Sequence, residues 1–444
     1  LTLLEPDMEV PVTIDLEVEG GHILTLDEQS TEWMSGTVCI SGNRIVFIGN
    51  PADRPSSFVT RETIDASGKI VMPTFFNCHT HAAMSIFRGL ANDLSLELWL
   101  NNYIWPAEKR NVSRETVFLG TLISAMEMIK SGTSAFADMY FFQEDVARAS
   151  EQCGIRVILG EALFDFPTPG TGTPEGSLAY TRSLHQRFTN HPLISVAVTT
   201  HAPYTCSPEV IRMAAELSEE LGIPANIHLA ETKDETETIQ KRYGKSPTRY
   251  LYDLGFLTSR TVCNHGIYLS DEDVELIRQT GASIVTAVNS NMKLGSGICR
   301  VQELLQKGVN VAIGTDGAAS NNNQSVLREL QQVGRIEKAY HEDPAVISAS
   351  RLLSMATING AKAYGRGNQL GSLKTGKMAD LMIINPDQPH WYPRYDPVSS
   401  IAYSMQSEDV ESVIINGRIV MRNRELTLVD EKKYLHEMRR LVLR

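Results

Sequence analysis

The chain has 444 residues, 42% of them hydrophobic and 21% charged, and a formal net charge of −12. That length suits two or three domains, or one α/β barrel with additions. The acidic balance and the lack of a basic tract exclude a nucleic-acid backbone as partner, and no apolar stretch approaches the membrane-spanning length.

The start, LTLLEPDMEVPV, has acidic residues where a secretory leader needs basic ones, so the expected compartment is the cytoplasm. The six dispersed cysteines form no C-x-x-C pair and read as reduced, buried thiols. From about Val10 to Ile70, polar and apolar positions alternate between turn signals such as SGNR, which predicts an all-β segment. The rhythm changes at the run Ile70 to Phe76, long enough for one buried strand. Beyond it come NCHTH, then seven further apolar runs: FADMY, RVILGEALFD, ISVAVTTH, PANIHLAE, TVCNHG, SIVTAV and VNVAIGTDG. Helical spacing separates them over Arg114 to Lys130, Pro208 to Leu221, Asp271 to Thr280 and Ser325 to Tyr340. Eight such units predict a closed parallel (β/α)8 barrel. After ASRLLSMATINGAKAYG the β rhythm returns in ADLMIINP and VESVIINGRIVMRN, with an Asn-Gly turn. Neither β segment has strands enough for its own core. The expected architecture is therefore a barrel over 70–370 with a second small β-sandwich domain built from 1–69 and 371–444.

In such a barrel the reactive groups gather at the carboxyl ends of the strands. The residues that close the runs are His79 and His81, then His201, then His228 with Glu231, then His265, and finally Asp316. His79 and His81, two apart on a strand, share a face and make half of a metal site. As the third imidazole of a set, His228 reads as a ligand. Asp316 could cap a helix. A mononuclear site needs a carboxylate, however, and strand eight neighbours strand one, so it reads as ligand and proton acceptor. Glu231 could be a solvated helix-start carboxylate; a functional Glu there would sit beside the metal, placed to pass a proton to a substrate atom. His265 could pack internally or hold the metal's water.

The segments PTFFNCHTHAAMSIFRGLANDLSLELWLNNYIWPAE, HAPYTCSPE, NIHLAET, NSNMKLGSG and GTDGAASNNN resemble the amidohydrolase superfamily, in its adenosine, methylthioadenosine and S-adenosylhomocysteine deaminase branch. The likeness covers nearly the whole chain. It implies one Zn2+, or Fe2+ in some relatives, held by His79, His81, His228 and Asp316, with Glu231 as proton shuttle and His265 as partner of the water. It also implies contact of His201 with the substrate ring, a hold of Glu108 on ribose hydroxyls, and a dimer or tetramer. The implied reaction is hydrolytic deamination of a 6-aminopurine nucleoside. Zinc lowers the pKa of its water to about 7, which supplies a nucleophile without strong base.

Two places depart from the pattern. Where relatives that take S-adenosylhomocysteine are expected to meet its carboxylate with arginine, this chain has Glu161, which favours adenosine or methylthioadenosine. Strand seven has Val288-Asn289 in place of the usual proline and its polar neighbour, leaving Asn291 as an amide for the ring or as an ordinary turn residue. The alternative function is a triazine or other heteroaromatic aminohydrolase or chlorohydrolase on the same site, which would not need Glu108. A scaffold barrel without catalysis should lack ligands, and here the set is complete.

Overall fold

The computed structural model describes residues 11–441. Residues 1–10, on which most of the leader expectation rests, lie outside them. Eight parallel strands run round the barrel. The first four are Phe75–Thr80, Thr133–Asp138, Arg156–Leu159 continued by Ala162–Leu163, and Ile194–Val196 continued by Val198–Thr200. Ala225–Leu229, Thr261–His265, Ser283–Thr286 and Asn310–Ile313 complete it. Strands three and four are interrupted, and their halves pair in two different sheets. At the break in strand three a Cβ on Gly160 would lie 2.1 Å from Thr199 Oγ1 and 2.6 Å from the Asp138 carbonyl oxygen, so only glycine fits.

The ring closes between strands eight and one. The backbone N–H groups of Thr315 and Asp316 both donate to the His79 carbonyl, at 3.0 and 2.9 Å, and Asn77 Nδ2 donates to Thr315 Oγ1 at 2.8 Å. A Cβ on Gly314 would meet the His79 backbone nitrogen at 2.8 Å, so glycine is what lets the two strands approach.

The run Ile70 to Phe76 is two strands rather than one. Ile70–Pro73 pairs antiparallel with Leu381–Ile384 outside the barrel, and the barrel strand starts only at Phe75. Both pieces are buried on every side chain, so hydrophobicity alone gives no sign of the division at Pro73-Thr74. The outer sheet has nine strands drawn from both ends of the sequence, running from Glu425–Leu426 through Leu381–Ile384, Ile70–Pro73 and Val12–Leu24 to Arg44–Gly49. It has an apolar cluster of its own, with Val18, Ile40, Val71, Leu381 and Ile414 fully or almost fully buried. The turn between Val410–Ile415 and Arg418–Arg422 has φ +54° at Asn416 and +75° at Gly417, as a two-residue hairpin requires. Arg156 of strand three donates to both carboxylate oxygens of Asp380, at 2.7 and 2.8 Å, tying the foot of the barrel to the segment that enters this sheet.

The expected helices Arg114–Lys130, Pro208–Leu221 and Asp271–Thr280 are present, and Val326–Tyr340 follows its N-cap Ser325. The helices Gln143–Cys153, Pro174–Arg187 and Lys233–Tyr243, and the segment that precedes Arg114, had no counterpart in the sequence reading. Leu96–Trp99 and Trp105–Asn111 are joined by a π turn at Leu100–Ile104. Pro106 has no N–H to donate one turn back, and the chain widens just before it. Among the described residues no helix is long and apolar enough to cross a membrane.

Candidate active site

At the carboxyl end of the barrel, side chains from strands one, five, six and eight converge. Ring centroids lie 4.9 Å apart for His79 and His81, 4.8 Å for His79 and His228, and 5.4 Å for His228 and His265. Asp316 Oδ1 is 3.1 Å from His81 Nε2 and 3.5 Å from His79 Nε2. Two sets of potential ligand atoms each fall within 4.8 Å of one another: His79, His81 and Asp316, and His79, His228 and His265. They share His79, whose Nε2 is buried with no hydrogen-bond partner.

The supporting contacts fix the imidazoles in one tautomer. His81 Nδ1 donates to the Met139 carbonyl and His228 Nδ1 donates to the His201 carbonyl at 2.6 Å. A carbonyl only accepts, so each Nδ1 carries the proton; His228, kept neutral by burial, turns an Nε2 lone pair inward, whereas His81, which against burial is raised by Asp316 to about 9, offers its Nε2 once a cation displaces the proton there. Ser290 and Ser320 donate to Asp316 Oδ2 at 2.6 and 2.8 Å, and the Gly317 N–H donates to Oδ1 at 2.8 Å. Burial lowers His79 to about 4 and carries His228 well down, both toward the neutral form that ligates. Burial would raise Asp316, yet His79 and His81 hold it well below the usual carboxylate range. An orphaned imidazole nitrogen, an inward lone pair and an ionised carboxylate together fit a divalent cation of the zinc or iron type.

Glu231 stands next to this cluster, its Oε2 3.7 Å from His265 Nε2. Burial raises its carboxyl. Its backbone N–H and that of Ala230 donate to Glu235, at 2.9 and 2.8 Å, so Glu235 clamps the turn that presents it. Glu235 went unread in the sequence, although Thr232-x-x-Glu235 is a helix-start pattern and Thr232 does cap Lys233–Tyr243.

One cavity collects most of the predicted residues: His81, Glu108, His201, His228, Glu231, His265 and Asp316. Glu108 accepts from the Tyr140 hydroxyl at 2.7 Å, and burial pushes its carboxyl up to about 7. His201 stacks on Phe164 with centroids 4.3 Å apart.

Three predicted residues are not in the wall: His79, which lies behind it in the ligand cluster, Asn291 and Glu161. Asn291 is buried and accepts from His265 Nδ1 at 2.8 Å, so it orients that imidazole and does not face a substrate ring. Glu161 is fully buried against Gly170, where a Cβ would touch its Oε1 at 2.2 Å. The backbone of Phe142 and Gln143 is its polar surrounding, and neither oxygen has a partner in hydrogen-bonding geometry. Burial pushes it up to about 8, so at neutral pH it is uncharged and repels nothing.

Residues 70–420 match the model of the amidohydrolase family. The chain is 41% identical, over 97% of both sequences, to 5-methylthioadenosine/S-adenosylhomocysteine deaminase 1 of Syntrophus aciditrophicus. It is similar to the zinc-bound crystal structure of an adenosine deaminase from Xanthomonas campestris, with TM-score 0.94 and 32% identity over 97% of this chain and 98% of that one. The zinc complex of an atrazine chlorohydrolase from Arthrobacter aurescens shares the fold, with TM-score 0.88 at 21% identity over 96% and 99% of the two chains.

Proposed function

The chain belongs to the amidohydrolase family, and from that premise we propose that it is a metal-dependent hydrolytic deaminase, converting adenosine or 5′-methylthioadenosine to the 6-oxo nucleoside with release of ammonia. The observation that carries the proposal is the cluster of His79, His81, His228 and Asp316 at one cavity with a buried Glu231 whose carboxyl burial raises.

One Zn2+, with Fe2+ as the other fitting metal, would be held by His79, His81, His228 and Asp316. When bound, it supplies a water nucleophile at neutral pH. Glu231, its carboxyl raised by burial, delivers a proton to the ring nitrogen next to C6, which keeps negative charge off the ring as the new C–O bond forms. Asp316 and His265 receive the proton that water loses, and Asn291 keeps His265 Nε2 free to do so. Return of a proton to the exocyclic nitrogen lets the C–N bond break and ammonia leave. His201 packs on the ring. Glu108 holds the sugar diol with one oxygen while Tyr140 occupies the other.

We also take 1–69 and 371–444 as one β-sandwich domain beside a 70–370 barrel, supported by a sheet that both ends supply. We place the protein in the cytoplasm, in keeping with six free, buried cysteines, and take it as a dimer or tetramer from the family likeness alone. Ammonia release and the loss of 6-amino absorbance with adenosine and 5′-methylthioadenosine test the function. Chelation should abolish turnover and zinc restore it; a metal-loaded protein that releases no ammonia from either nucleoside refutes the proposal.

A further inference from the structure

The names of the relatives pair two substrates that differ sharply in charge. Methylthioadenosine ends its 5′ arm in a neutral thioether, whereas S-adenosylhomocysteine ends it in an amino acid with a carboxylate. The cavity of this chain is built for only one of them. A purine ring that presents C6 to Glu231 and Asp316 must send its 5′ substituent away from them, toward the rest of the wall. There the lining is Leu96, Leu100, Ile104, Trp105, Phe141 and Phe164. No lysine or arginine lines the cavity among the described residues, and its formally charged side chains, apart from histidine, are Glu108, Glu231 and Asp316.

Two cations stand nearby and do not alter this. Lys233 and Arg242 line an adjoining outer groove that shares Leu96, Leu100, Trp105 and Tyr204 with the cavity. The same groove carries Glu97, Asp234 and Glu235. Lys233 is 3.8 Å from Glu237, and Arg242 donates to the Tyr204 carbonyl at 3.3 Å. An anion reaching that far meets Lys233 and Arg242 in the company of Glu97 and Asp234, a groove with no excess of positive charge.

We infer that the site takes 6-aminopurine nucleosides whose 5′ substituent is uncharged, a hydroxyl or an alkylthio group, and turns away those bearing a carboxylate or phosphate there. The inference rests on the deaminase reading and adds to it. Two effects act together. A carboxylate that leaves water for this wall finds no lysine or arginine to offset its lost hydration, which discriminates against it directly. A thioether gains contact with Trp105 and Phe164, since sulfur packs well against aromatic rings. Glu161 takes no part: it is outside the wall and neutral at pH 7, so the exclusion is a property of the whole apolar lining and not of one residue.

The test is kcat/KM on the metal-loaded protein, by ammonia release, for 5′-methylthioadenosine, adenosine 5′-monophosphate, S-adenosylhomocysteine and the decarboxylated analogue of the last. The analogue keeps the length and the ammonium group and lacks only the carboxylate. Expected is a value at least about tenfold lower for S-adenosylhomocysteine than for its analogue, and at least about tenfold lower for the monophosphate than for methylthioadenosine. A smaller ratio in either pair overturns the inference and leaves the deaminase reading standing. Ammonia from none of the four, nor from adenosine, overturns both.

Discussion

Replacing Glu235 by glutamine tests whether the turn behind Glu231 is held by a charged clamp. Each oxygen of Glu235 accepts one backbone N–H, from Ala230 at 2.8 Å and from Glu231 at 2.9 Å. Ala230 sits at φ +50°, a left-handed conformation that costs a residue with a Cβ about 1–2 kcal/mol. Glutamine keeps the shape but offers one oxygen, so its NH2 group faces the second N–H. Leaving that buried donor unpaired costs about 1–3 kcal/mol. If the whole penalty falls on the placement of Glu231, kcat drops by about 5- to 150-fold, since about 1.4 kcal/mol is tenfold. The pH dependence has a definite sign. Burial pushes Glu235 up to about 8, and only its ionised form accepts with both oxygens, so the gap between wild type and Glu235→Gln widens as pH rises through that value. The assay is saturating deamination of adenosine from pH 7 to pH 9, with metal content and denaturant stability measured on the same samples. A fully metal-loaded Gln variant with kcat within about threefold of wild type, or a gap that narrows with pH, refutes the reasoning.

Tyr140→Phe removes the hydroxyl that lowers Glu108, whose carboxyl burial pushes up to about 7. If the ionised form holds the sugar, KM for adenosine falls as pH rises through about 7 in wild type, and the inflection moves to higher pH in the variant; an unmoved KM profile counts against that role. For Glu161 the carboxyl lies at about 8 in the folded chain against 4.5 unperturbed, so the folded state holds the extra proton and this group's contribution to stability declines as pH climbs from 4.5 through 8. Glu161→Gln should therefore match wild type in denaturant melts at low pH and exceed it above pH 8; equal stability throughout contradicts the assignment. Arg156→Met strands Asp380 in a buried site where both partners are less than a tenth exposed, and urea unfolding should show a loss of about 3–5 kcal/mol. A loss below about 1 kcal/mol would mean that water or Asn416 already satisfies Asp380.

The barrel and most of its rim were legible in the sequence for a plain reason. Strands covered on both faces read as near-continuous apolar runs, and the first polar residue after each run marks the carboxyl end. His201, His228, His265 and Asp316 all stood out in that way. What stayed hidden depends on partners far away in sequence. Nothing local distinguishes the division of Ile70 to Phe76 into an outer-sheet strand and a barrel strand, because both are buried. Asn291 was read as a ring amide or a turn residue, and Glu161, from the likeness, as a carboxylate facing the substrate's 5′ end, but burial turns one toward His265 and sets the other against Gly170 with its carboxyl pushed up to about 8. Ser290 and Ser320 carry no signal until Asp316 is brought beside them.

The backbone supplies an argument for the site that owes nothing to likeness. Ala230, His265 and Asp316, at or just beyond the ends of strands five, six and eight, have φ of +50°, +73° and +59°. Glycine would adopt these angles freely, whereas each of these residues costs about 1–2 kcal/mol. The surroundings hold the strained turns in place: the Ala230 carbonyl accepts from Ile267 and Tyr268, and the Asp316 N–H donates to His79. Glycine, however, has neither an imidazole nor a carboxylate. A chain that places His265 and Asp316 where its backbone would favour glycine bears a conformational cost that packing does not require. The side chains that offset this cost are the ones facing the cavity, and that is the pattern expected where geometry serves chemistry.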